Sequence, residues 1–287
     1  WSRGFGDVYK RQAHAQWNDQ FAAWQKNNAE GAALLSRLQS RLLPQGWNAD
    51  VPVYDVGSSI ATRKASSDTI QALAKHLPEM WGGSADLGES NLTVIEHGGS
   101  FLPEGSTMPG ASTHGRIVHY GIREFAMGAA LNGIALGGLS RPFAGTFLVF
   151  SDFMRGTTRL AALMGLPVIY VWTHDSIGVG EDGPTHQPVE HLWALRAIPG
   201  LDVVRPADGN ETATAWQLAI ENNRPTALIL SRQNLPTIDS PATRDQSQVA
   251  RGAYTVAPAS GEAKVVLVAS GSEVSVALAA REQLEAD

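Results

Sequence analysis

His119-Tyr120-Gly121-Ile122-Arg123-Glu124-Phe125-Ala126-Met127-Gly128 passes from a short apolar strand, through one glycine, straight into a helix. Glu124 falls at the helix start, where unpaired backbone N–H groups and the helix dipole favour a carboxylate. Gly121 permits a tight turn, and Gly128, Ala129 and Ala130 let a neighbour pack closely on the helix. Read by itself, Glu124 is either a helix-capping residue or a catalytic carboxylate.

Downstream the step repeats. The pattern predicts a helix over 124–137, a strand Phe143–Val149, a helix over 152–164 ending at Gly165, and a strand Val168–Thr173. A glycine-rich loop over 174–187 leads to a helix near 188–196. Then follow a strand Asp202–Arg205, a helix over 209–222 and a strand Thr226–Ser231. This alternation predicts an α/β fold: a parallel sheet with helices on both faces. Ligands in such sheets sit outside the carboxyl ends of the strands. Ser84–Asp86, His174–Asp175 and Arg232 all fall there.

Upstream, Ser66, Ser67 and Asp68 offer N-caps for a helix over 68–77, stopped by Pro78. Met80–Ala85 reads as a strand, and 88–115 as a long Gly/Ser/Thr/Pro loop. Trp17, Phe21, Trp24, Leu34, Leu35, Leu38 and Leu42 recur at helical spacing, so 13–57 reads as a helical linker. Residues 1–12 show no period and read as a non-native leader. Residues 237–262 read as a connector. Lys264–Ala269 reads as an apolar strand, followed by a helix with Glu273 in its first turn. One βα unit cannot bury its own faces, so 263–287 is expected to be a truncated second α/β domain and the chain a fragment.

The 287 residues are 43% apolar with a net charge of −6. Mild, evenly spread acidity argues against a nucleic-acid surface. No apolar run approaches the ~20 residues of a membrane span. The absence of cysteine excludes disulfides and thiol catalysis, and a cytoplasmic protein is expected.

Two further stretches carry chemistry. Thr173–Pro188 (THDSIGVGEDGPTHQP) sets two His, two Asp and a Glu among glycines. His and Asp there supply hydrogen bonds or protons to a ligand, or are solvated loop polars. The spacing His174…His186…His191 matches no common zinc pattern. Phe147, Phe150 and Phe153 recur at i, i+3, i+6, a period that by itself favours core packing. Arg63 and Arg232 suit a phosphate, or are surface charges.

Together these stretches resemble the transketolase family. The residues that carry the resemblance are Ala61–Lys64 (ATRK), Gly82–Leu87 (GGSADL), Tyr120–Glu124 (YGIRE), Gly145–Phe147 (GTF), Thr173–Pro188, Arg205–Asn210 (RPADGN) and Leu230–Pro236 (LSRQNLP). They cover 58–236 in order, which the resemblance makes the pyrimidine-binding domain. It implies transfer of a two-carbon ketol unit from a ketose phosphate, such as xylulose 5-phosphate, to an aldose phosphate, such as ribose 5-phosphate, in the pentose phosphate pathway.

The cofactor implied is thiamine diphosphate. By the resemblance, Glu124 hydrogen-bonds the aminopyrimidine ring nitrogen and helps the exocyclic amine take the thiazolium C2 proton. An apolar pocket suits this role, because desolvation raises a carboxyl pKa. Phe147, Phe150 and Phe153 match the aromatic pocket, with Asp86 and Leu87 in the cofactor-binding set. Phe153 stands where several relatives have tyrosine, and Phe125 where relatives have His. Arg63, Ser90 and Arg232 resemble the phosphate binders. His174, Asp182 and His186 resemble the residues that contact substrate hydroxyls, the two His also moving protons. The family's Gly-Asp-Gly…Asn signature is absent, and Gly6-Asp7 is not followed by it. The resemblance therefore puts no metal ligand in this chain. It assigns Mg2+ (or Ca2+) and the diphosphate to the diphosphate-binding domain of a second subunit in a homodimer. The alternatives are a subunit of another thiamine enzyme (a 2-oxo acid dehydrogenase β-chain or a deoxyxylulose-phosphate synthase) and a non-catalytic partner of a split enzyme. The run Leu230–Pro236 favours transketolase.

Overall fold

The structure is a computed structural model that describes residues 2–286, with side chains from Val8 onward. The leader expected over 1–12 lies partly outside the described residues. The chain forms two compact units, Trp1–Leu43 and Pro44–Asp287.

The first unit holds α1 (Ser2–Asn27) and α2 (Ala29–Gln39). The helical run expected from residue 13 thus begins earlier and is interrupted at Asn28. That residue leaves the helix and caps the next one, its Oδ1 accepting the Gly31 N–H at 3.1 Å. Trp17 stacks on Phe21 and Phe21 on Trp24, with centroids 4.9 and 5.7 Å apart.

The second unit runs β1 (Ser59–Ala61), α3 (Thr62–His76), β2 (Met80–Ser84), α4 (Gly88–Asn91), β3 (Ser100–Phe101), β4 (Ala111–Ser112), β5 (Ile117–His119), α5 (Glu124–Gly137) and β6 (Arg141–Phe147). A 3-10 helix, Leu148–Met154, leads into α6 (Arg155–Met164). Then come β7 (Ile169–Thr173), α7 (His191–Arg196), β8 (Asp202–Val204), α8 (Gly209–Glu221), β9 (Thr226–Leu230), β10 (Asn234–Pro236), α9 (Gln246–Val249) and α10 (Glu273–Ala286).

Eight strands form one sheet in the order β4-β3-β5-β2-β6-β7-β9-β8, and every pairing in it is parallel. Register places alternate residues on opposite faces. Ala144, Tyr170 and Ala227 lie in one row and join a core with Met127 and Leu131 of α5, Ala161 of α6 and Leu195 of α7. Phe143, in the neighbouring row, meets Trp216 of α8 edge-on at 5.6 Å. Helices therefore cover both faces, as the alternation predicts. Buried on both sides, the strands read as apolar runs instead of alternating ones.

Three expectations need correction. The helix expected over 68–77 is α3, which starts at Thr62 on an N-cap, Ala61, with no side-chain cap. Ser66 is buried inside it and accepts the indole N–H of Trp216 at 2.8 Å, so a residue that looks like a cap is a packing contact. Residues 88–115 contain α4, β3 and β4, not only loop. Lys264–Ala269 forms no strand, and Val265, Val266 and Val268 are exposed. Apolarity alone does not make a strand; the ladder needs a neighbour, and none of the described residues supplies one. Just before the expected connector, β10 pairs antiparallel with β1.

Candidate active site at the carboxyl edge of the sheet

Because the sheet is parallel, the ends of β2, β5, β6, β7 and β9 share one edge. Phe147, Thr173 and Leu230 are register partners at that edge. The 3-10 helix after β6 decides the aromatic arrangement. With three residues per turn, side chains at i and i+3 eclipse. Phe147 and Phe150 stack at 6.0 Å and 3°, and Phe150 and Phe153 at 6.0 Å and 28°. Only Phe147 is buried; Phe150 is half-buried and Phe153 is 64% exposed. The core reading of this spacing therefore fails, and a ladder of ring faces takes its place.

Two histidines join the ladder. His174 stacks on Phe147 at 3.7 Å, and His186 meets Phe147 and Phe150 edge-on at 6.0 and 5.3 Å. His174 is buried and holds a left-handed φ of 60°, as does Asp86 at 63°. Non-glycine residues in that region are uncommon and cluster at functional sites.

Arg63, Arg232, Asp182 and His186 are the ionisable groups around His174. Burial, then the charge of Arg232, lowers the Arg63 pKa from its ordinary value, while Asp182 opposes this. Arg63 donates to the backbone carbonyl of Ser90, and Gly180 leaves room for the Arg232 guanidinium, which would lie 3.2 Å from an added Cβ. The two guanidinium charges act on each other, a setting that suits an anion beside them.

Burial pushes the His174 pKa down to about 4, with Arg63, Arg232 and His186 adding to the effect and Asp182 opposing it. The fold therefore favours the neutral ring. The unfolded chain, titrating near 6.5, binds the extra proton first. This contribution to stability is complete above about pH 6.5 and is lost as pH falls toward 4. The melting temperature of the chain should fall more steeply over that interval than that of His174→Gln. Parallel slopes would count against a buried neutral imidazole.

Glu124 is the first residue of α5, behind an N-cap, Arg123, without a side-chain cap. Its side chain is buried, yet it makes no hydrogen bond or ion pair with any described residue. It caps nothing. Gly128 lets α5 seat against α6 and the 3-10 helix, since an added Cβ would lie 2.1 Å from Thr157 Oγ1 and 3.2 Å from Met154 Cε. Glu124 is thus carried on the helix that packs against the aromatic ladder. No hydrogen bond or ring contact joins Glu124, Asp86 or Leu87 to that ladder among the described residues. Leu87 N–H donates to Ser84 Oγ at 3.0 Å, which ties the Asp86–Leu87 turn to the end of β2.

His191 lies elsewhere. Its Nε2 is 3.2 Å from Asp152 and its Nδ1 is 3.9 Å from Glu190. Arg155 stands 3.3 Å from the other Asp152 oxygen, so that carboxylate has a guanidinium beside it.

Sequence reasoning missed three buried polar residues around His174. Asn91 accepts the Thr173 hydroxyl, and Thr173 in turn contacts the His174 ring. Arg205, quoted only as part of a motif, holds the Asp175 carboxylate at 2.8 Å. The available signal was the glycine in GTF: an added Cβ on Gly145 would crowd Thr93, Asn91 and the Val171 carbonyl at 2.8–3.1 Å.

Fold and edge together define an open parallel α/β domain, a class in which ligands bind beyond the carboxyl ends of the strands. Two family models match: "Transketolase, pyrimidine binding domain" over residues 58–237, and "Transketolase-like TK C-terminal domain" over 252–287. Over 275 residues the chain is 55% identical to the transketolase of Geobacillus stearothermophilus, covering 95% of this chain and 40% of that protein. It is 53% identical over 282 residues to that of Mycobacterium tuberculosis, covering 94% and 40%. The Pichia stipitis transketolase, solved in complex with sedoheptulose 7-phosphate, superposes with a TM-score of 0.90 at 42% identity, over 97% of this chain and 41% of that one. The chain belongs to the transketolase family. It spans about two fifths of the length of these relatives.

Proposed function

We propose that this chain is the pyrimidine-binding part of a transketolase that moves a two-carbon ketol unit from a ketose phosphate to an aldose phosphate in the pentose phosphate pathway. The observation that carries the reading is the meeting, on one sheet edge, of three stacked phenylalanines, two histidines and a pair of arginines.

The donor set fits thiamine diphosphate. A planar aromatic ring suits the faces of Phe147, Phe150 and Phe153, and a ring nitrogen suits the buried, unengaged carboxyl of Glu124. Asp86 and Leu87 complete the cofactor-binding set. When bound, the cofactor supplies an acidic carbon and a sink for the electrons of the transferred unit. Glu124 holds a proton at the pyrimidine ring nitrogen. The phenylalanine faces exclude water from that contact. Arg63 and Arg232, with Ser90, bind the substrate phosphate. His174, Asp182 and His186 bind substrate hydroxyls, and the imidazole nitrogens accept and return a proton there.

The diphosphate and its Mg2+ or Ca2+ belong, on this reading, to the diphosphate-binding domain of a second subunit in a homodimer. Exposed apolar residues along α5 and α6 support such contact, among them Phe125, Leu136 and Leu163. No helix among the described residues is long and apolar enough to cross a membrane.

The test grafts this chain in place of the matching segment of the Geobacillus stearothermophilus enzyme. With thiamine diphosphate and Mg2+, the graft should turn over xylulose 5-phosphate with ribose 5-phosphate and leave pyruvate untouched. A folded graft that consumes pyruvate, or no substrate at all, would overturn the reading.

A further inference from the structure

Arg63 and Arg232 leave the backbone at one peptide group, and a buried pair of hydroxyls sets that junction. The β1–β10 ladder ends at Ala61 and Asn234, and Thr62 and Ser231 meet just beyond it. These two are 169 residues apart in sequence and fully buried. The first N–H groups of a helix have no partner inside it, and Ala61, which precedes α3, offers no side-chain acceptor. Ser231 serves them from just past the end of β9. Its Oγ accepts the Thr62 N–H at 3.1 Å, and its carbonyl accepts the Arg63 N–H at 3.3 Å. In return, Thr62 Oγ1 accepts the Ser231 N–H at 2.7 Å. The two hydroxyl oxygens lie 3.1 Å apart. Ser231 Oγ gives its proton to the Gln233 carbonyl at 2.9 Å, so Thr62 is the donor between them, and both hydroxyl protons are in use. Each member of the pair is followed by an arginine. The Ser231 carbonyl carbon is bonded to the Arg232 nitrogen, while its oxygen holds the Arg63 N–H.

We propose that Thr62 and Ser231 are positioning residues that hold Arg63 and Arg232 as one phosphate-binding unit, and so set the preference of the site for phosphorylated over unphosphorylated sugars. The choice of substrate rests on the ketol-transfer reading; the junction of the two arginines does not. Such a junction answers a physical need. The two guanidinium charges repel, since that of Arg232 helps to lower the Arg63 pKa. Carried on flexible side chains alone, they would part in the free site and have to be reassembled for each phosphate, at a cost in affinity. Fixing both at one peptide group removes much of that cost beforehand. Further out, Arg63 donates to the Ser90 carbonyl, and Arg232 packs over Gly180, where an added Cβ would lie 3.2 Å from Nη1. Arginine forks give parallel bonds to a phosphate only when their planes are aimed at it, and the aim starts at the backbone.

The test uses xylulose 5-phosphate and xylulose, the same sugar without its phosphate, as donors for the grafted enzyme, with ribose 5-phosphate saturating. Thr62→Val keeps the volume of the side chain and removes its hydroxyl. It should raise KM for xylulose 5-phosphate about tenfold, the worth of one hydrogen bond to a charged group, and leave kcat and the KM for xylulose within about twofold. Thr62→Ser, which keeps the hydroxyl, should restore the parent KM. In an Arg63→Gln background Thr62→Val should add little, because it acts through that arginine. A merely structural loss at the start of α3 would lower the melting temperature and move both sugars alike. Equal changes for the two sugars, or an unchanged KM for xylulose 5-phosphate, would overturn the proposal. Should Thr62→Val not fold, Ser231→Ala, which removes the other hydroxyl, is read in the same way. If the unsubstituted graft turns over no sugar, the ketol-transfer reading fails instead, and binding to the whole chain decides the junction. There the 31P signal of ribose 5-phosphate should shift at a concentration of chain about tenfold lower for the unsubstituted chain than for Thr62→Val. Equal affinities, or no shift with either chain, would overturn the positioning role.

Discussion

In the grafted enzyme, Glu124→Gln should lower kcat by about 10³-fold, the middle of the roughly 10²–10⁴ that a positioned proton-transfer group supplies. Its melting temperature should stay within about 2 °C of the parent, less than a 1 kcal/mol change would produce in a domain of this size. The two readouts separate the two roles open to this residue. A carboxylate kept only for the α5 dipole is worth about 0.3–1 kcal/mol of stability and nothing in turnover. Its replacement would lower stability slightly and leave kcat alone. A carboxylate kept for a cofactor nitrogen behaves the other way. Glu124 is buried, caps no backbone N–H and pairs with no described cation. The neutral amide has nearly the same shape and replaces no hydrogen bond or ion pair within the chain, so the fold tolerates it. Full turnover by the Gln variant would remove Glu124 from the mechanism, whatever the melting temperature does.

Glu124 was legible because everything that places it is local. Gly121, with a φ of 65°, turns the chain, and α5 begins at Glu124 and ends at Gly137 as its sequence predicts. The same holds for β2, β6, β7, β8 and β9, whose bounds lie within two residues of those read from apolarity, but not for β3 and β4, which fall in a stretch read as loop. Local signals failed where a tertiary contact reinterprets them. Ser66, Ser67 and Asp68 have the chemistry of a cap, but Trp216, 150 residues away, uses the Ser66 hydroxyl. The phenylalanine spacing is ambiguous by arithmetic, since i, i+3 serves the buried stripe of an α-helix and the eclipsed faces of a 3-10 turn alike. The family resemblance, not periodicity, pointed to the ladder. Asn91 and Thr173, 82 residues apart in sequence, and Asp175 and Arg205, 30 apart, left no pattern to read. Their roles exist only once parallel strands bring them together.

Arg205→Met should strongly destabilise the chain. The Arg205 guanidinium sits between two carboxylates of unequal burial. Asp175, 2.8 Å from Arg205 Nε, has a side chain 1% exposed, whereas that of Glu273 is 54% exposed. Arg205 also donates to the Ser270 carbonyl at 2.7 Å and to Ser272 Oγ at 3.1 Å, which ties the start of α10 to the sheet edge. Burial works against its charge, and the Glu273 and Asp175 carboxylates outweigh that and raise its pKa. For Asp175 the balance tips the other way. Burial raises its pKa although Arg205 pulls it down, and its second oxygen has no hydrogen-bond partner. Removing Arg205 strands this carboxylate. Breaking one partner of a buried pair costs about 3–5 kcal/mol, which for a chain of this length lowers the melting temperature by roughly 6–20 °C. Glu273→Gln, which breaks only the solvated half, should cost less than about 1 kcal/mol. The pH dependence gives the sign of the cause. Without Arg205 the folded pKa of Asp175 rises further above its unfolded value, so the fold binds the extra proton first. The defect should then grow as pH rises through the carboxylate range and shrink toward pH 5. Asp175→Asn in the Arg205→Met background should recover much of the loss and flatten that dependence. Equal losses in Arg205→Met and Glu273→Gln would show that Asp175 is not the buried charge held here. Because Asp175 follows the left-handed His174, the same variant should also disorder the His174–Phe147 stack, making this ion pair the structural support of the imidazole.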